Sequence, residues 1–145
     1  MRTAKLLCLG AMACAGAAGA LLTPPTARAQ HSPVYQVTDG MVDQGTFNGY
    51  RRYGNACLAC HGPDGAGSSY APNLTDSLTR LSYEDFANVV INGRQNVTAT
   101  ANNVMPAFGT NEDVVTYMDD IYGYLKARAD GKLPRGRPKR FEAAG

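Results

Sequence analysis

The chain has 145 residues, fourteen basic and twelve acidic, and no tryptophan. A chain this short supports one small domain with a modest core, so a multi-domain enzyme is excluded. The basic residues do not gather on a folded segment: Lys132, Arg135, Arg137, Lys139 and Arg140 crowd the last fourteen positions, and the body before them is acidic, which argues against a nucleic-acid-binding face.

In chain order, residues 1–29 read as an export signal. Arg2 and Lys5 give the charged start, residues 6–22 the apolar stretch, and Ala27-Arg28-Ala29 the small-residue cleavage site, so the mature chain is expected to begin at Gln30 in the periplasm. The apolar run is rich in alanine and glycine and is followed by Pro24-Pro25, which speaks against a retained membrane anchor. Lipidation at Cys14 is a poorer fit. Cleavage removes Cys8 and Cys14 and leaves Cys57 and Cys60 in a compartment where exposed thiols oxidise. It also removes three basic residues and no acids, turning the net charge slightly negative.

After an extended lead-in over 30–40, Asp43 is the expected N-cap of a first helix, with Val42 packing on Phe47 as a hydrophobic staple. Phe47, Tyr50 and Tyr53 share one side of that helix, which leads into the cysteines. Ser82 and Asp85 form a capping box ahead of Phe86, Val89 and Val90, with Gly93 as the stop. Thr110 and Asp113 open a last helix, expected to be the longest, whose stripe is Val114, Met118, Ile121, Tyr122 and Leu125 and which Gly131 ends. Strand-like alternation is nearly absent. The expectation is a small all-α fold of about three main helices over 30–131, with long loops that need something to organise them, and a basic, flexible tail over 132–145.

The chemistry lies in "ACLACHG", residues 56–62. Cys-x-x-Cys serves zinc sites, thiol redox centres and covalent haem attachment. Zinc normally takes four ligands, and the only other histidine of the chain is His31, near the mature terminus. A thiol redox pair starts a helix after a β-strand, whereas here the cysteines follow a helix. Haem accounts for every position: Cys57 and Cys60 add across the two vinyl groups, and His61 becomes the proximal ligand. Its other ring nitrogen then needs an acceptor, best sought in a loop carbonyl near Pro72. For the sixth position Met105, in the loop "NNVMPAFG", is preferred over Met118, which fits the helix core, and Met41; His31 or an open position are the alternatives. Arg94, just after the second helix, is a candidate partner for a haem propionate, in the absence of any tryptophan donor.

The phrases "NGYRRYGNACLACHG", "YAPNL", "NNVMPAFG" and "DDIYGYLKAR" resemble a class I cytochrome c. That resemblance implies one covalently bound haem c, and a crossing of Gly49 and Tyr53 on the first helix with Ile121 and Tyr124 on the last. "VDQGTFNGYRRY", "VINGRQN", "YLKARADG" and "GRPKR" resemble more closely the periplasmic cytochromes that take electrons from quinoprotein methanol or alcohol dehydrogenases. The implied function is electron transfer, with such a dehydrogenase as donor and a cytochrome or oxidase as acceptor. A small haem peroxidase or a permanently bound haem subunit are the rival readings. A peroxidase needs a distal acid–base group, for which the sequence offers only His31.

Overall fold

The computed structural model describes residues 35–97 and 102–141; the segment read as an export signal and His31 lie outside them. Asp43 caps the first helix as expected. Its carboxylate accepts from Thr46 N at 2.9 Å, and helix α1 runs Gln44–Ala56. Cys57 ends α1, donating its N–H to Tyr53 O, and at once starts a short α2, Leu58–His61. A 3-10 turn at Pro63–Gly65 and helix α3, Leu74–Ser77, occupy the loop that follows. The Ser82–Asp85 box starts α4, Tyr83–Asn92, and Gly93 stops it.

Three expectations change at the C-terminal half. The cap of the next helix is Asn111, not Thr110, because the Asn111 side chain reaches Val114 N at 3.1 Å. The stretch read as one long helix is two, α5 at Glu112–Thr116 and α6 at Met118–Ala129, divided at Tyr117. Arg52 of α1 holds that break, pairing with Asp113 at 2.8 Å and stacking 4.0 Å over the Tyr117 ring. Among the described residues the longest helix is therefore α1, with 13 residues against 12 for α6.

Short strands also organise what looked like loop and tail. Strands β1 (Val37–Thr38), β2 (Met41–Val42) and β5 (Lys139–Arg140) form a small sheet, β1 antiparallel and β5 parallel to β2. Strands β3 (Arg94–Val97) and β4 (Asn102–Met105) form a hairpin whose register pairs Arg94 with Met105. Residues 132–141 are packed on the body as a strap instead of projecting as a flexible tail. Leu133 is buried, Arg135 Nε reaches Asp64 at 3.2 Å, and Gly136 N donates to the same carboxylate at 3.0 Å.

The core sits where α1 crosses α6. A Cβ on Gly49 would lie 1.8 Å from Asp120 O and 2.9 Å from Tyr124 Cβ, so only glycine permits this approach. The resemblance named Ile121 and Tyr124 on α6 opposite Gly49 and Tyr53. The glycine contact falls on Asp120 and Tyr124, and the Tyr53 and Tyr124 rings lie 5.6 Å apart. Ile121, Leu125, Phe86, Val90 and Val114 complete the buried layer and turn towards the cysteine-bearing segment.

Candidate functional site

His61 closes α2 and is buried. Its Nδ1 lies 3.1 Å from Pro72 O, the carbonyl anticipated from the sequence. A carbonyl only accepts, so Nδ1 carries the proton and Nε2 keeps its lone pair for a metal. The backbone around the ring is equally constrained. Gly67 N donates to His61 O at 2.7 Å, and Gly62 adopts φ +72 with Gly67 O where a Cβ would stand, at 2.4 Å. Tyr53, across the turn, donates its hydroxyl to Gly62 O and accepts from Gly65 N at 3.0 Å. Burial raises the Tyr53 hydroxyl to about 12, so it remains a donor at any ordinary pH.

His61 opens into a narrow apolar cleft of about 50 Å³. Cys57 and Met105 share its wall with Leu74, Phe86 and Val90. The fold thus brings together three residues singled out in the sequence, from α2, the α1–α2 junction and the end of β4. Cys60 is exposed on the flank of the same short helix, its carbonyl accepting from Ser68 Oγ. Burial pushes the Cys57 thiol up to about 11, aided by Cys60, which is the reverse of the lowered thiol pKa that a redox-active pair needs. Among the described residues no group of three or more His, Cys, Asp and Glu gathers as a metal site. Arg94 is exposed, at the hairpin position facing Met105 in register. Met118 is buried core filler, as read, and Met41 is tied up in the β2 pairings.

Residues 46–125 match the sequence family described as "Cytochrome C oxidase, cbb3-type, subunit III". The chain belongs to this family of c-type cytochromes. It is 53% identical over 115 residues to cytochrome c-553I of Paracoccus denitrificans, covering 79% of this chain and 51% of that one. With cytochrome c-555 of Methylococcus capsulatus it shares 44% over 96 residues, 66% of this chain and 72% of the relative. Among solved structures it resembles the c-type cytochrome XoxG from Methylobacterium extorquens AM1, with TM-score 0.68, 49% identity, and coverage of 75% of this chain and 67% of that one. The cytochrome thus spans about half the length of the c-553I relative.

Haem c, covalently bound, is the cofactor of the family, and the residues that line the cleft suit it. Its wall is apolar, as a porphyrin face requires, and it offers one imidazole with a free lone pair and one thioether. Among the described residues no helix of the cytochrome is long and apolar enough to cross a membrane. Two functional residues escaped the sequence reading. The resemblance gives Tyr53 only as the aromatic of the helix crossing, although a tyrosine in place of phenylalanine at a buried position signals that its hydroxyl has a partner. Asp64 was not singled out. It stands at φ +61 directly after the histidine turn and fastens the strap, a link that joins positions 71 and 72 residues apart and leaves no local trace in sequence.

Proposed function

We propose that this cytochrome is a periplasmic electron carrier, reduced by a PQQ-dependent methanol or alcohol dehydrogenase and oxidised by a downstream cytochrome or terminal oxidase. When bound, haem c supplies a one-electron Fe(III)/Fe(II) couple. In this reading Cys57 and Cys60 would anchor it through thioethers, His61 and Met105 would bind its iron, and Pro72 O orients the imidazole. Arg94 serves a propionate from its exposed place on the hairpin.

The observation that carries the reading is that His61 and Met105 line one apolar cleft, with His61 Nδ1 already committed to Pro72. A thioether opposite the imidazole fills the position that oxygen or peroxide would need and raises the potential, which favours carrier over peroxidase. The donor assignment rests on the resemblance of the helix, hairpin and strap phrases to methanol-oxidation cytochromes, and the signal-like residues 1–29 support the periplasmic reading.

The test is to mix the oxidised, haem-loaded protein with a quinoprotein methanol dehydrogenase and methanol at low and high salt. Fast, saturable and salt-sensitive haem reduction is the expected result. No reduction beyond an enzyme-free control would remove the dehydrogenase as donor.

A further inference from the structure

A second cleft, of about 540 Å³, lies between α1 and the C-terminal strap. Tyr50, Tyr53, Tyr124 and Leu58 give it an aromatic and apolar surface, while Arg51 and Arg137 line it as exposed residues. We propose that this cleft is the docking surface for an acidic segment of the donor dehydrogenase, in which carboxylates flank an aromatic side chain. The proposal deepens the function above and rests on it for the identity of the partner.

Three observations carry it. The strap is fixed, not trailing: Leu133 is buried, Arg135 and Gly136 bind Asp64, and β5 pairs with β2, so Arg137 is delivered to the cleft by the fold. Other arginines are already engaged, Arg52 with Asp113, Arg128 and Arg135 with Asp64, and Arg140 with Gln44. The carboxylate that lines the cleft, Asp64, is taken up by Arg128, Arg135 and Gly136 N, and among the described residues neither Arg51 nor Arg137 is paired with a carboxylate; Arg137 lies 5.9 Å from the Phe47 ring centroid. Leu58, 40% exposed, belongs both to this cleft and to α2 between Cys57 and Cys60, so an occupant would sit next to the covalent attachment edge.

The chemistry follows from those features. Guanidinium groups take carboxylates as forked, charge-assisted pairs, and tyrosine faces accept an aromatic ring edge-on or offset. The acidic residues Glu112, Asp113 and Asp119 lie on α5 and the start of α6, outside this cleft, and Asp64 within it is neutralised by Arg128 and Arg135, so an acidic partner meets net positive charge on the strap side. A free phosphate would have no use for the apolar floor, and a basic segment would meet like charge.

The experiment uses the haem-loaded, ferrous, ¹⁵N-labelled protein. It is titrated separately with acetyl-Glu-Phe-Glu-amide, acetyl-Lys-Phe-Lys-amide and inorganic phosphate. Amide shifts at Tyr50, Gly54, Leu58 and Gly136 are expected with the acidic peptide only, and are expected to disappear in Arg51→Gln/Arg137→Gln. Equal response to the basic peptide or to phosphate, or no response at these amides, would overturn the proposal. In the dehydrogenase assay the same double variant should need about tenfold more cytochrome for half-maximal rate, with an unchanged reduction potential. An unchanged requirement would sink the cleft as the docking surface. If wild-type protein is not reduced at all, the donor reading fails, and the peptide map still decides the chemistry of the cleft.

Discussion

The histidine side of the haem cleft is held from several directions, whereas the methionine side hangs from a hairpin. Around His61, the Tyr53 hydroxyl bridges Gly62 and Gly65, Pro72 O fixes the ring, and Asp64 ties the following turn to the strap. Around Met105, support comes from the β3–β4 register and two backbone bonds to the end of α4, Phe108 N to Val90 O at 2.9 Å and Gly109 N to Ile91 O at 3.0 Å. Val97 and Val104 of that hairpin are 67% and 57% exposed, so little apolar burial secures it. The contrast teaches where the site is preorganised: the His61 imidazole is positioned by the protein, and the Met105 thioether, the proposed second ligand, is the group that local opening reaches first.

The comparison breaks most severely at the α1–α6 crossing that supports the histidine side. Gly49→Ala puts a methyl group into Asp120 O and should cost about 3 kcal/mol or more, read as a lowered urea midpoint or loss of folded, haem-loaded protein. Tyr53→Phe keeps the ring and deletes the bridge, stranding Gly62 O and Gly65 N; a loss of about 2 kcal/mol is expected in the same denaturation measurement.

Met105→Ala probes the other side and should cost less stability, because Met105 is only half-buried. Its signature is functional: a lower reduction potential in redox titration and ready binding of carbon monoxide or cyanide. Retained potential and continued exclusion of both ligands would remove Met105 from the iron.

The smallest effect is in pH dependence. Burial pushes the Asp43 carboxyl up, but the hydrogen bonds from Thr46 and Gln36 outweigh it and leave it below the ordinary value. A depressed native value means that its stabilisation is present above the unfolded value, about 3.9, and is lost as pH falls through the native one. Asp120 is shifted the opposite way, raised chiefly by burial, so its contribution is lost as pH rises from the ordinary value through the native one. Denaturation midpoints across the acid range should therefore lose part of their acid-limb slope in Asp43→Asn and change in the opposite sense in Asp120→Asn.

The features legible in the sequence were those written in short spans. The Asp43 and Ser82 caps, the Gly93 stop and the Cys57–His61 segment each depend on residues within a few positions of one another, where side-chain chemistry and backbone geometry are locally coupled. Even locally, the Thr110 start slipped to Asn111, because two neighbouring residues were both competent caps and geometry selected the second.

By itself the sequence determined the haem attachment chemistry, the mainly helical class and the order of the principal helices, since these follow from spacing and periodicity along the chain. Tertiary structure alone decided the break at Tyr117, the hairpin that sets Arg94 opposite Met105, and the conversion of a basic tail into a strap bound to Asp64. Each of these depends on partners far apart in the chain, as Arg52 with Asp113 or Arg135 with Asp64. Such contacts are fixed by packing energy between surfaces that exist only once the helices have met.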